Sequence, residues 1–280
     1  MQFSKWHGLG NDFVIVNGFK ETVSDFKQAA IEICDRHFGI GADGLVFVLP
    51  SDSADFKMRI FNSDGSEAEM CGNVTRCVAR YVYENGLTNK TKILLETLAG
   101  LIKPEIVFAD NGSINSVRVD MGCPRLKRSE IPMTGIADEQ VIHQPVVIEG
   151  TTFYGTAVSM GNPHFVMFVE DLDALDLPYY GPKIETLPIF PRKTNVEFVQ
   201  VLANDELRMR VWERGAGITL ACGTGACATL TAAVLNDKTG RQAVVHLDGG
   251  DLFIEWDEDG HIYMSGPGEE VFRGSYLLNV

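Results

Sequence analysis

RIFNSDGSEAEMCGNVTRC, residues 59–77, and RVWERGAGITLACGTGACA, residues 210–228, can be laid over one another without a gap. Arg59 then meets Arg210, Phe61 meets Trp212, Cys71 meets Cys222 and Gly72 meets Gly223. The same offset of 151 positions carries Gly10-Asn11 onto Gly161-Asn162, and GLVFV at 44–48 onto NVEFV at 195–199. Three motif pairs in one register predict a duplicated half-molecule. In each half a strand runs to a Cys-Gly pair that opens a helix, which predicts two thiols directed at one cleft.

Local patterns give the order of elements around that repeat. Strands are expected at Val14–Val16, Leu45–Leu49, Lys57–Phe61 and Ile93–Leu95, with helices over Phe26–His37 and Asn73–Glu84, the latter stopped by Asn85-Gly86. The second half repeats the order with strands at Phe165–Val169, Val196–Val201 and Leu207–Trp212 and a helix over Thr224–Asn236. Asp-Asn-Gly at 110–112 and Asp-Glu-Asp-Gly at 257–260 carry turn chemistry. The class is therefore α+β, with a domain boundary near residue 120.

Composition narrows the function classes. At 280 residues and 45% hydrophobic content, the chain can bury large cores. A net charge of -14 argues against a nucleic-acid or anionic-membrane surface, and PRLKR (124–128) and FPRK (190–193) read as solvated connectors. The N-terminal MQFSKWHGLGND lacks a basic-then-apolar leader pattern and no stretch approaches the roughly 20 apolar residues of a membrane span, so a cytoplasmic protein is expected. Its cysteines, at 34, 71, 77, 123, 222 and 227, are expected to be reduced thiols.

Two tempting motifs fail on context. Gly39-Ile40-Gly41-Ala42-Asp43-Gly44 fits G-x-G-x-x-G, but a dinucleotide fingerprint follows a strand and opens a helix; here a helix precedes and a strand follows, so a turn is expected. The Cys71/Cys77 and Cys222/Cys227 spacings place each pair on divergent helix faces, so no metal site is expected. Cys77 and Cys227 read as core residues, Cys34 and Cys123 as small apolar fillers. Cys71 and Cys222 stand apart because the first N–H groups of a helix have no intrahelical partner. Such a place favours an anion, which lowers a thiol pKa toward neutrality or grips a substrate carboxylate. Asn73 and Thr224 suit the first turn in both copies.

HGLGNDF (7–13), GIGADGL (39–45), FNSDGSEAEMCGN (61–73), Arg76-Cys77, GNPHFV (161–166), Asn195-Val196 and ERGAGITLACGTGACA (213–228) together resemble the diaminopimelate epimerases over essentially the whole chain. The resemblance implies two similar α/β domains of pseudo-twofold relation, each a mixed sheet around a central helix. The first half-domain would span 1–120 with a returning C-terminal strand at 262–280, the second 121–261. It implies a cofactor-independent isomerase that inverts one α-carbon of LL-diaminopimelate to give the meso isomer. One of Cys71 and Cys222 would act as base and the other as acid, since opposed groups deliver inversion in one pass. Backbone N–H groups of Gly72, Asn73, Gly223 and Thr224 would hold the reacting carboxylate. Asn11, Asn62, Asn162, Asn195 and Arg214 would bind the distal amino-acid head, while His164 and Glu213 would tune the thiols, Glu213 also touching substrate. No metal, no nucleic acid, no membrane and a homodimer complete the expectation.

Two positions depart from the family pattern: Val74 replaces a common glycine, with its side chain expected to splay away from the anion, and Gly44 stands where some members place a glutamine. Two other readings compete. A proline racemase or hydroxyproline epimerase shares the two-cysteine plan with a single-headed substrate, and a non-catalytic amino-acid-binding protein would use such a cleft without turnover.

Overall fold

The structure, a computed structural model, describes residues Met1–Leu278 and divides the chain into two compact units, Met1–Asp120 with Ser265 onward, and Met121–Met264. Asn279 and Val280, the last two residues of the C-terminal strand expected over 262–280, lie outside the described residues.

In the first unit the elements are β1 (Gln2–Gly8), β2 (Asn11–Asn17), α1 (Phe26–Cys34), β3 (Gly44–Leu49), β4 (Phe56–Asn62), β5 (Glu67–Ala68), α2 (Gly72–Glu84), β6 (Leu95–Thr97), β7 (Gly100–Ile102), β8 (Glu105–Phe108) and β9 (Ile114–Asp120). The second unit continues with β10 (Gln144–Ile148), β11 (Thr151–Ser159), β12 (Pro163–Phe168), α3 (Leu177–Glu185), β13 (Asn195–Ala203), β14 (Glu206–Glu213), β15 (Gly217–Ile218), α4 (Gly223–Leu235), β16 (Gln242–Leu247) and β17 (Gly250–Trp256). β18 (Ile262–Gly266) carries the chain over the boundary to β19 (Glu269–Ser275) in the first unit.

The two sheets share one plan. The first runs β19-β1-β2-β3-β4-β6-β7, and the second runs β10-β11-β12-β13-β14-β16-β17 over the matching stretch. Each is mixed, with parallel pairs β2/β3 and β4/β6 in one and β12/β13 and β14/β16 in the other. The offset of 151 seen in the sequence reappears as strand register. Phe13 lies opposite Gly44 as His164 lies opposite Asn195, and Leu45 opposite Phe61 as Val196 opposite Trp212.

Burial explains which helix is central. α4, GTGACATLTAAVL, is apolar on all sides and packs against β11 to β14, β16 and β17, as a helix with no polar stripe must. α2 fills the corresponding place against β1, β2, β8, β9 and β19, with Asn73 through Ala79 all buried. α1 lies against β3 and β4, and α3 against β13 and β14. These layers enclose one apolar cluster containing Phe47 and Phe61 and a second containing Phe165 and Phe198. Among the described residues no helix is long and apolar enough to cross a membrane.

Several boundaries differ from the sequence expectation. α1 stops at Cys34 rather than His37, because the Asp35 carboxylate accepts from the backbone N–H groups of His37 (2.7 Å) and Phe38 (2.8 Å) and turns the chain out. The strand expected at Ile93–Leu95 begins only at Leu95, since the Asp55 carboxylate takes the Leu94 N–H (2.9 Å) and interrupts the pairing that follows the Lys92–Glu105 bridge. The Gly39–Asp43 segment joins α1 to β3, with Gly41 at φ +79°. There the Ile40 and Gly41 N–H groups bond back to the Ile33 carbonyl. Val74 is wholly buried.

Candidate active site

Each cysteine of interest is the residue immediately before its helix. Cys71 precedes α2 with φ -147° and ψ 122°, and Cys222 precedes α4 with φ -126° and ψ 104°; neither caps its helix with a side-chain hydrogen bond. The extended backbone leaves the thiol beside the first turn, and the N–H groups of the following Gly-Asn or Gly-Thr point past it, as in any helix start.

In the first unit Asn11 is the neighbour of Cys71. The thiol Sγ lies 3.9 Å from Asn11 Oδ1, and the same oxygen accepts from Asn73 Nδ2 at 3.0 Å. Asn11 is oriented from behind: its Nδ2 donates to Asp43 Oδ2 at 2.7 Å. Asp43 belongs to an ion cluster in which Arg36 donates to Asp43 at 2.7 Å and to Asp12 at 2.8 Å, with Lys5 2.6 Å from Asp12. Burial alone would raise the Asp12 carboxyl, but hydrogen bonds from Arg36 and Lys5 outweigh it and hold the group down at about 2. Gly8, at the end of β1, is pressed against the first turn of α2, where a Cβ would come within 3.1 Å of the Asn73 Cβ. Asn62 is exposed at the end of β4 and donates to Ser66 Oγ at 2.9 Å.

In the second unit the site is drier. Cys222 is 5% exposed, and its Sγ lies 3.6 Å from Thr224 Oγ1. Asn162 Nδ2 donates to that hydroxyl at 3.2 Å, Asn162 Oδ1 lies 3.1 Å from His164 Nε2, and His164 Nδ1 lies 2.6 Å from Glu197 Oε1. His164 and Glu197 are both fully buried. Asn195 donates to the Pro163 carbonyl (2.9 Å) and accepts from the Arg214 backbone N–H (2.8 Å), which ties β13 to the loop after β14. The Arg214 side chain is exposed and rests on the Arg192 carbonyl at 3.1 Å, while Glu213 accepts from the Thr219 hydroxyl.

The electrostatics correct one expectation. A helix start was expected to bring the thiol toward neutrality, yet burial and the negative charges of Glu213 and Glu197 push the Cys222 thiol well above its ordinary value, outweighing the Thr224 hydroxyl and the Gly225 N–H. Burial likewise pushes Cys34 and Cys77 up to about 12, which suits packing rather than chemistry. Within the first unit the structure brings together Cys71, Asn73 and Asn11, and within the second Cys222, Thr224, Asn162 and His164.

A profile of the diaminopimelate epimerase family matches residues 3–127 and 156–271. The chain belongs to the diaminopimelate epimerase family. The diaminopimelate epimerase of Pelotomaculum thermopropionicum is 61% identical over 278 residues, covering 99% of each chain. Among solved structures, a PhzF-family phenazine biosynthesis protein of Bacillus anthracis superposes with a TM-score of 0.71 at 17% identity, covering 99% of both chains. A hydroxyproline epimerase of Agrobacterium vitis does so at 0.69 and 16%, covering 98% of this chain and 91% of the other. At such identities the likeness is one of fold: two mixed-sheet domains. Membership of the diaminopimelate epimerase family makes the protein an isomerase.

Two residues that orient the site escaped the sequence reading. Asp43 lies in the GIGADG turn, where its carboxylate anchors Asn11. Glu197 sits in NVEFV, a strand whose other members are apolar or amide; the matched position in GLVFV is Val46, and a carboxylate in place of a buried valine was the available signal.

Proposed function

We propose that the protein interconverts LL- and meso-diaminopimelate by moving a proton at one α-carbon between two thiols, those of Cys71 and Cys222. The observation that carries this reading is the pair of Cys-Gly helix starts at matched positions of a duplicated fold in a member of this family. One sulfur, as thiolate, takes the α-proton and the other, as thiol, supplies a proton to the opposite face, so a single passage inverts the centre. The reacting carboxylate resists further negative charge as the carbon is deprotonated. Backbone N–H groups of Gly72, Asn73, Gly223 and Thr224, aided by the positive ends of α2 and α4, offset that resistance.

Amides at Asn11, Asn62, Asn162 and Asn195 offer donors and acceptors for the distal ammonium and carboxylate. Arg214, whose side chain is exposed, supplies a two-pronged partner for the distal carboxylate, with Glu213 beside it. His164 and Glu213 set the protonation of Cys222, the latter by its negative charge. The reading carries with it a role in lysine and peptidoglycan-precursor supply, a cytoplasmic place of action and a homodimer, whose mass sedimentation would measure.

The test is incubation of the purified protein with LL-diaminopimelate in D2O without added cofactor. Deuterium at the α-carbon together with meso product supports the proposal. Deuterium exchange without inversion would remove the two-base step, and faster turnover of proline than of diaminopimelate would replace the substrate.

A further inference from the structure

Glu185, the last residue of α3, is a carboxylate whose side chain is only 7% exposed. Three donors from different parts of the second unit converge on it. Trp212 Nε1, on β14, donates to Oε2 at 2.8 Å. The Gly215 backbone N–H, in the loop after β14, and Lys193 Nζ, just ahead of β13, donate to Oε1 at 3.3 Å and 3.2 Å. An indole N–H, a backbone N–H and an ammonium can only donate, so both oxygens must accept. Burial alone would raise the Glu185 carboxyl, but the hydrogen bonds from Trp212 and Lys193 outweigh it and hold the group below its ordinary value.

The loop held in this way is the one that carries Arg214. Two consecutive N–H groups in it are taken by side chains from different elements: Arg214 donates to Asn195 Oδ1 at the start of β13, and Gly215 donates to Glu185 at the end of α3. Between them the chain turns sharply, with Gly215 at φ +78°. Through Lys193 the same carboxylate also grips the segment whose Arg192 carbonyl accepts from the Arg214 guanidinium at 3.1 Å. One buried acid therefore ties down both the turn and the place where the arginine rests.

The first unit shows that the fold does not need this acid. The positions matched to Glu185, Trp212 and Arg214 hold Cys34, Phe61 and Ser63, and there Cys34 and Phe61 share one apolar cluster. Where the arginine is missing, the acid is missing too. A buried carboxylate carries a desolvation cost that the apolar pair at the same place does not.

We propose that Glu185 is a positioning residue for Arg214: it holds the Gly215 turn closed, so that the guanidinium is ordered before it meets the distal carboxylate of the substrate. This rests on the reading of Arg214 as the partner of that carboxylate, but the turn itself is measurable without substrate. A loop ordered in advance adds no ordering cost on binding, so losing Glu185 falls on KM and spares the proton transfer at the cysteines.

Two variants test it. Glu185→Gln keeps the shape but leaves one accepting oxygen, and sets an NH2 group against either the indole or the Gly215 N–H. Glu185→Asp keeps the charge but is one methylene too short to span the donors. With diaminopimelate, each should raise KM about tenfold while kcat stays within about threefold. Added to Arg214→Met, each should raise KM by less than about a further twofold, since Glu185 acts through Arg214. An unchanged KM, a fall in kcat at constant KM, or effects that simply add to those of Arg214→Met would each overturn the proposal. Without substrate, backbone hydrogen exchange read by mass spectrometry should quicken about tenfold within 213–217 and stay unchanged in 224–235 of α4. Equal quickening in both would mark a general loosening, and none within 213–217 would mean that the acid does not hold the turn; either result overturns the proposal. If Glu185→Gln fails to fold by circular dichroism, Glu185→Asp decides. Should the wild type not turn over diaminopimelate, the proposed function falls, while the exchange result still decides whether Glu185 holds the Arg214 turn.

Discussion

Beneath the cysteine of α2 the matched core positions hold Phe13, Val46 and Val74; beneath the cysteine of α4 they hold His164, Glu197 and Gly225. The strand register is the same in both units, with matched residues facing each other across β2/β3 and β12/β13. What differs is where each unit keeps the polar groups that orient its asparagine. The first anchors Asn11 from the half-exposed side with Asp43, itself held by Arg36; the second anchors Asn162 from the dry interior with His164 and Glu197. One scaffold thus presents a cysteine in two electrostatic settings, which is what a pair of groups needs if one is to accept a proton while the other gives one.

The comparison is broken most severely at the sulfurs. Cys71→Ala and Cys222→Ala should each abolish epimerisation, by at least about a thousandfold, while circular dichroism shows an intact fold; more than a trace of meso product from either would sink the pairing of the two units in one reaction. Next in size, Arg214→Met removes a charged partner present only in the second unit. It should raise the KM for diaminopimelate by an amount equivalent to about 2 to 5 kcal/mol while leaving the thiol alkylation rates alone, and an unchanged KM would take Arg214 out of the substrate site.

Exchanging the third core position between the units sharpens the contrast. Gly225→Val drives a branched side chain into Glu197 and Cys222, and should lower kcat by a hundredfold or more and stability by about 1 to 3 kcal/mol. The reciprocal Val74→Gly empties a wholly buried site and adds backbone freedom within α2, a loss of about 3 kcal/mol in urea unfolding. It should nevertheless change kcat/KM by less than about tenfold, since the side chain is wholly buried and its backbone N–H is not among those proposed to hold the carboxylate. A hundredfold gain would instead mean that Val74 obstructs the helix start.

The smallest effect is expected in the ion cluster behind Asn11. The Asp12 carboxyl titrates near 2 in the folded protein against an ordinary 3.8, so its contribution is present above about pH 4 and lost as the pH falls through 2. Asp12→Asn should cost about 2 kcal/mol at pH 7, with the difference from wild type vanishing by about pH 2. A difference independent of pH would show that packing, and not ionisation, accounts for the loss.

The repeat was legible because its landmarks, Asn11/Asn162, Cys71/Cys222 and the strands ahead of them, kept both identity and spacing. α3 was not, although it spans Leu177–Glu185 at the same offset from α1. Its sequence LPYYGPKIE carries Pro182 inside the helix and Gly181 pressed onto Trp212, where a Cβ would lie 2.6 Å from the ring, so local propensity speaks against a helix that packing imposes. Strands β1 and β10 also went unread, since β1 takes one of its partners, β19, from the far end of the chain and β10 is a short alternating segment, while β19 was anticipated only through the family resemblance. At the site, motif chemistry pointed to the cysteines, the asparagines and His164. It did not point to the acids that hold them: Asp43 looks ordinary in its turn until the fold sets it against an amide, and the signal for Glu197 was only an acid in an otherwise apolar or amide strand.

From β2 through the end of α2, and again from β12 through the end of α4, the two copies keep step without one inserted or deleted residue; beyond the helices the connections 85–94 and 236–241 already differ in length. Each stretch therefore behaves as an indivisible cassette. A residue added within it would turn its helix by about 100° against the strand that delivers the cysteine, whereas lengthening the connector after the helix would leave the cassette untouched. Insertions and fusion points for engineering this protein belong after the helices and never before them.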